Sequence, residues 1–198
     1  MTEQVADTDR RKLLTTAVAA IGGVGVGAVS VPFVQSLSPN RVAEAAGADV
    51  EVGISDLQPG HMKVVAWFNR PVMIIHRTPE MLENIRALEG QLRDSTSSAS
   101  EQPEYAKNWH RSIRPEIFVV TNVCTHANCT PSFRPEFAIS EAGPWWRGGL
   151  LCPCHNSQYD LAGRVFEGNS PAPKNLPIPP YHFVSDSKIV IGDMAQHS

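Results

Sequence analysis

Cysteine is scarce in this chain, with 4 among 198 residues. A scaffold built from disulfides needs a denser set, so that class is excluded, although even one bridge would require an oxidising compartment outside the cytoplasm. No Lys/Arg-rich run occurs, and the formal net charge is −3. Without a basic face to neutralise phosphates, nucleic acid is excluded as a partner. Charge is also missing throughout 13–34. At about 1.5 Å per residue, that stretch is long enough to cross a hydrocarbon core of about 30 Å as a helix. The length leaves room for one membrane segment and one sizeable domain.

The few cysteines are concentrated. All lie in two boxes, Cys124-Thr125-His126-Ala127-Asn128-Cys129 and Cys152-Pro153-Cys154-His155-Asn156-Ser157-Gln158-Tyr159, and each box carries a histidine. A thiolate and an imidazole close together on a tight loop can face the same way, and two such loops can close over one metal centre. Two Cys and two His could hold zinc, but zinc sites usually pair like ligands at C-x2-C or H-x3-H spacings. Each box here offers one Cys and one His, plus a further Cys. That mixture suits a [2Fe–2S] cluster in which two imidazoles replace two thiolates on one iron. The bland alternative is two ordinary disulfides with histidines nearby by chance.

The boxes resemble those of the Rieske iron–sulfur subunits of cytochrome bc1 complexes, the quinol–cytochrome c reductases. The resemblance implies one Rieske [2Fe–2S] cluster, its inner iron bound by Cys124 and Cys152 and its outer iron by His126 and His155. It also implies a disulfide between Cys129 and Cys154. Ser157 and Tyr159 match hydroxyls that donate to a bridging sulfide and to the Cys124 sulfur. Ser170-Pro171-Ala172-Pro173 is similar to the family's proline loop, which places Pro171 and Pro173 over a third side of the cluster; the plain alternative is a stiff connector. Arg77-Thr78-Pro79-Glu80-Met81 and Arg111-Ser112-Ile113-Arg114-Pro115-Glu116 are similar to the bc1 subunit in particular.

Function follows as implication. Two neutral imidazoles in place of charged thiolates make a cluster easier to reduce, and Rieske centres span about −150 to +300 mV. Hydrogen bonds to sulfur raise the potential further, which suits quinol oxidation. By resemblance His155 is the catalytic contact, taking a proton from quinol as an electron leaves it, while His126 is the less favoured one. Cytochrome b and cytochrome c1 are the implied partners, in a dimeric complex that contributes to proton translocation. Ala127 and Asn128 fall where the family docks on its partner. Three positions depart from the family pattern. Asn128 and Asn156 replace glycines, and Asn is the residue other than Gly that best tolerates positive φ. Ala127 replaces a shielding leucine, and cytochrome b is expected to fill the gap.

Residues 1–12 form a polar leader containing Arg10-Arg11-Lys12, which resembles a twin-arginine export signal and places the N-terminus in the cytoplasm. The span 13–34 is expected to stay as a single transmembrane helix in the bacterial inner membrane, with the head domain periplasmic. Cleavage at Ala43-Glu44-Ala45 is disfavoured because that site lies well past the apolar run. Gly23 and Gly27 form a G-x-x-x-G face open to close helix packing. Residues 35–48 read as a linker, by resemblance a hinge, and 49–198 as the Rieske domain with cluster loops 124–130 and 152–159.

Within that domain the pattern predicts a hairpin of 62–68 and 72–76 about Asn69-Arg70-Pro71. A helix is expected over 79–92, capped by Thr78. Strands are expected at 117–121 and 148–151, with a closing hairpin of 181–184 and 189–191. Trp145 and Trp146 are expected in the core. The fold class is mainly β: a small antiparallel Rieske-type domain with an inserted helix and a cluster-binding subdomain, on one N-terminal membrane helix. The competing functions are a Rieske small subunit of a periplasmic oxidase such as arsenite oxidase, a soluble ferredoxin, and a zinc- or disulfide-built adhesion module.

Overall fold

A computed structural model describes residues 2–37, 48–168 and 170–192. The chain divides into two compact units, Met1–Ala45 and Ala46–Ser198. Most of the expected linker, 38–47, lies outside the described residues.

The first unit is one helix, α1 (Thr2–Ser36), so the leader is helical as well as the apolar span. Its apolar side chains are bare: Ile21 is 73% and Val24 74% exposed. Such a helix has no reason to stay unburied in water, and Asp7–Ser36 has the length and composition of a membrane span. Thr15, Thr16 and Ser30 turn their hydroxyls back onto carbonyls of the preceding turn, which satisfies those donors within the helix. Cβ atoms added at Gly23 and Gly27 would meet nothing within 4 Å, so that face is open.

In the second unit nine strands among the described residues form three antiparallel three-stranded sheets. The strands β1 (Val50–Gly53), β8 (Tyr181–Ser185) and β9 (Lys188–Ile191) make one, in the order β1-β9-β8. A second joins β2 (Met62–Trp67), β3 (Arg70–His76) and β4 (Ile117–Thr121) in chain order. The third joins β5 (Ser132–Phe137), β6 (Arg147–Leu151) and β7 (Gln158–Tyr159). The main core runs along β3 and β4, where Ile74, Ile75, Phe118, Val119 and Val120 are fully buried.

Three local expectations are corrected. The first hairpin turns at Phe68 and Asn69, with φ of 47° and 57°. Arg70 and Pro71 are already paired with Trp67 and Ala66, because a two-residue left-handed turn matches the strand twist better than a longer loop. The helix α2 (Pro79–Ala87) has its Thr78 cap, whose hydroxyl accepts from the Met81 N–H at 3.2 Å. It stops short of Leu92: Gly90 falls in a 3-10 turn, and Leu92 becomes extended and bridges to Phe166. Gly is a poor helix former, and the strand-like bridge takes over from there. Of the tryptophans, Trp146 packs with Leu88, Leu92 and Phe166, whereas Trp145 is 39% exposed.

Long connections leave many carbonyls outside the sheets, and three buried arginines collect them. Arg77 donates to Pro115, His110 and Leu161 carbonyls, Arg111 to those of Ala162 and Leu176, and Arg164 to those of Ser95 and Ile85. Burial lowers the Arg77 pKa to about 9 and the Arg111 pKa to about 10, so both stay charged at neutral pH. Arg164 also pairs with the buried Asp160 at 2.8 Å.

Beside this network His110 bonds Ser112 Oγ through Nδ1 at 2.8 Å. Burial, with Arg77 nearby, lowers its pKa to about 4. The unfolded chain takes up this proton near pH 6.5 and the folded chain does not, so the stability is full above about 6.5 and declines toward 4. Urea midpoints measured at pH 7 and pH 5 should therefore fall in the unmodified protein. They should fall less in His110→Asn, which does not titrate.

Candidate metal centre

The strand β4 leads into the first box and β6 into the second, and the two loops close in the same way. Cys124 N–H donates to Cys129 O at 2.8 Å and Asn128 N–H to Cys124 O at 3.0 Å. In the second loop Cys152 N–H donates to Ser157 O at 2.8 Å and Asn156 N–H to Cys152 O at 3.0 Å. Asn128 and Asn156 occupy the same place in the two rings, with φ of 59° and 58°. Both expected substitutes for glycine are thus in the left-handed region that Asn tolerates.

This ring geometry turns the first cysteine of each loop inward and its histidine outward. Cys124 and Cys152 are buried free thiols, each 1% exposed. His126 and His155 are exposed, with ring centroids 4.7 Å apart. Cys129 and Cys154 form the disulfide between the loops, with Cα atoms 6.6 Å apart. The Cys152 sulfur lies within 4.8 Å of both disulfide sulfurs. Oxidised sulfurs are not thiolate ligands, so Cys124, Cys152, His126 and His155 are the donors that could hold a metal.

Hydroxyls surround the thiols. Tyr159 Oη lies 3.3 Å from Cys124 Sγ and accepts the Thr125 N–H at 3.2 Å. Ser157 Oγ is buried and meets no partner of the protein with hydrogen-bond geometry. Burial raises the Cys124 pKa, but the Tyr159 hydroxyl at 3.3 Å, with Ser157 nearby, outweighs it and leaves the thiol below its ordinary value. Cys152 is pushed up, chiefly by burial. Burial and the Cys124 sulfur also push Tyr159 up, which keeps its phenol a donor. An orphaned buried hydroxyl costs roughly 1–3 kcal/mol unless an acceptor arrives. A cluster sulfide is such an acceptor, so two inner thiols, two outer imidazoles and Ser157 fit a [2Fe–2S] centre.

The segment 170–174 is fastened to the first loop and to Arg93. Arg93 donates to the carbonyls of Ala172 and Ser170, and Thr125 Oγ1 to that of Lys174 at 2.7 Å. Ala172 is buried, while Pro171 and Pro173 are exposed. Ala127 and Asn128 stand exposed at the tip of the first loop. Sequence reasoning missed Arg93 and Thr125. Arg93 acts across 77 and 79 residues, and no local pattern marks it. A groove of about 620 Å³ lined by Trp67, Phe68, Arg70 and Pro177 includes none of the four candidate ligands.

The family model described as "Rieske [2Fe-2S] domain" matches residues 50–181. Fold and site therefore define a Rieske-type protein, and its cofactor is a [2Fe–2S] cluster. A second model, described as "Ubiquitinol-cytochrome C reductase Fe-S subunit TAT signal", matches residues 1–40. The ubiquinol-cytochrome c reductase iron-sulfur subunit of Allochromatium vinosum is 46% identical over 193 residues, covering 98% of this chain and 93% of that one. Its counterpart in Blastochloris viridis is 40% identical over 191 residues, covering 94% of each. That of Bradyrhizobium diazoefficiens is 38% identical over 184 residues, covering 92% and 94%. The chain belongs to the family of ubiquinol–cytochrome c reductase iron–sulfur subunits, not to the oxidase alternative. It is an oxidoreductase subunit with a twin-arginine signal and an apolar N-terminal helix that anchors it in a membrane.

The disulfide closes a loop across a sequence separation of 25. For that length, removing the bridge is expected to cost roughly 3 kcal/mol. The double variant Cys129→Ser/Cys154→Ser should show this as a lowered denaturation midpoint of the full chain. An unchanged midpoint would mean that the loops are held together by other contacts.

Proposed function

We propose that this chain is the catalytic, quinol-oxidising subunit of a cytochrome bc1 complex, passing single electrons from quinol toward cytochrome c1. One observation carries the reading: His126 and His155 are exposed at the tip of two loops whose first cysteines are buried. Cys124 and Cys152 would hold one iron of the cluster, and His126 and His155 the other. When bound there, the cluster supplies a one-electron acceptor whose potential is raised by neutral imidazole ligands.

His155 presents its outer ring nitrogen to solvent, where it accepts a hydrogen bond from the quinol hydroxyl and then that proton. Tyr159 and Ser157 donate toward sulfur, which favours the electron-rich state and raises the potential. The proline loop, with Pro171 and Pro173, keeps water from the third side. The walls around the quinol belong to cytochrome b, which meets Ala127 and Asn128, and the complex is a dimer. The helix spans the inner membrane with its N-terminus in the cytoplasm, and residues 35–48 tether the periplasmic domain 49–198.

An EPR-monitored redox titration of membranes tests the reading. A Rieske signal that shifts when a quinol-site inhibitor is added is expected; a signal indifferent to the inhibitor would remove the quinol assignment. Exchange of His126 or His155 for a non-coordinating side chain should abolish both the signal and turnover. Tyr159→Phe and Ser157→Ala should each lower the midpoint potential by about 60 mV, the one-electron equivalent of ~1.4 kcal/mol, with the cluster still assembled. Unchanged titrations in both would refute the hydrogen-bond assignment.

A further inference from the structure

The two cluster loops share one backbone design, yet their tips are fastened differently. At the equivalent left-handed position, Asn128 makes no side-chain hydrogen bond among the described residues and is exposed. Asn156, though also exposed, donates from Nδ2 to the Glu141 carbonyl at 3.1 Å. The acceptor lies in a firm turn. Ala142 and Gly143 N–H groups both donate to Ile139 O, at 3.1 and 3.0 Å, and Ala138 N–H closes the turn onto Trp146 O at 2.9 Å. Ala142 is buried in the satellite core with Trp146, Leu88, Leu92 and Phe166. The Glu141 carboxylate accepts from Ser140 Oγ at 3.0 Å, and the Glu141 backbone carbonyl is the acceptor for Asn156. Among the described residues the first loop is tied by side-chain hydrogen bonds below its histidine, where Thr125 meets Tyr159 and Lys174. Beyond the histidine it is tied by the Cys129–Cys154 bridge, but among those residues its tip makes no side-chain hydrogen bond to another element.

We infer that Asn156 is a positioning residue: its amide fastens the tip of the second loop to the 138–146 turn and so fixes the orientation of the adjacent His155 ring. This rests on the proposed quinol reading and makes it more specific. A surface hydrogen bond anchored to a packed core holds one imidazole at a set angle, and among the described residues the other tip has no such side-chain post. The quinol hydroxyl therefore meets a preoriented acceptor at His155, and the gain appears in binding geometry.

The test uses the full chain in its assembled membrane complex. Asn156→Gly and Asn156→Asp both suit the positive φ, and neither can donate to the carbonyl. Each should raise the KM for quinol about fivefold, the factor that corresponds to one hydrogen bond of about 1 kcal/mol, with kcat close to the unmodified value and, in the uncharged Asn156→Gly, the midpoint potential unchanged. Nitrogen hyperfine couplings in pulsed EPR should broaden for one imidazole and stay sharp for the other. An unchanged KM with unchanged couplings in both variants would overturn the inference. So would a midpoint shift in Asn156→Gly that accounts for the KM change, because Asn156 would then act on the cluster itself. Absence of quinol turnover in the unmodified complex would instead sink the quinol reading, and the couplings would still decide whether His155 is held by Asn156.

Discussion

The site depends on the left-handed backbone at Asn128 and Asn156. With φ near 59° in one loop and 58° in the other, each chain reverses sharply enough for the first cysteine's N–H to reach the carbonyl five residues on. A β-branched side chain would be strained there. Closing this ring drives the first cysteine into the core and leaves the middle of the loop outside. The contrast between Cys124 and Cys152, at 1% exposure, and the exposed histidines is thus a consequence of two backbone torsions. The Cys129–Cys154 bridge then sets the two rings facing each other.

Such loops need a rigid floor, and three small sheets joined by long connections do not supply one from strand hydrogen bonds alone. The buried arginines supply it. Taking a charged group out of water costs several kcal/mol, and each hydrogen bond to a charged donor returns about 1.5–3 kcal/mol. Arg77 and Arg111 make several such bonds each, so their burial is close to neutral in energy while it holds distant loops together. Arg164 and Asp160 fix the turn that follows Tyr159, with the Asp160 carboxylate accepting from the Ala162 and Arg164 N–H groups at 2.9 and 2.7 Å. The phenol of Tyr159 is thereby held under the Cys124 sulfur, and the ion pair contributes more to position than to stability.

What could be read from the sequence were features encoded by neighbours. The paired boxes, the uncharged run 13–34, the Thr78 cap and the strands around the loops all follow from spacings of a few residues. Asn128 and Asn156 were legible because positive φ restricts the choice of residue so strongly. Local rules also mark where reading failed. The apolar spacing that continues to Leu92 looks helical, yet Leu92 bridges to Phe166 across the fold. Trp145 and Trp146 are alike in sequence, and only the course of β6 decides which one faces the core. Arg93 on the proline loop and Asn156 on Glu141 lie further still from any local signal, because each is a side chain meeting a carbonyl set by another element.

The tip's lack of depth also has a physical meaning on the proposed reading. A subunit that enclosed its own quinol would have to open for every turnover, and the buried strands β4 and β6 run directly into the loops. A bare imidazole at a projecting end lets another protein provide the pocket, and contact then depends on few groups and can be released quickly. Few groups give little orientation, however, because a ring held through one nitrogen can still turn. The fixed turn at 138–146, packed through Ala142 into the satellite core, offsets that loss on the side of His155 without adding surface to the contact. An exchangeable docking end and a well-aimed acceptor are thereby combined, with the rigidity placed one residue behind the group that meets the quinol.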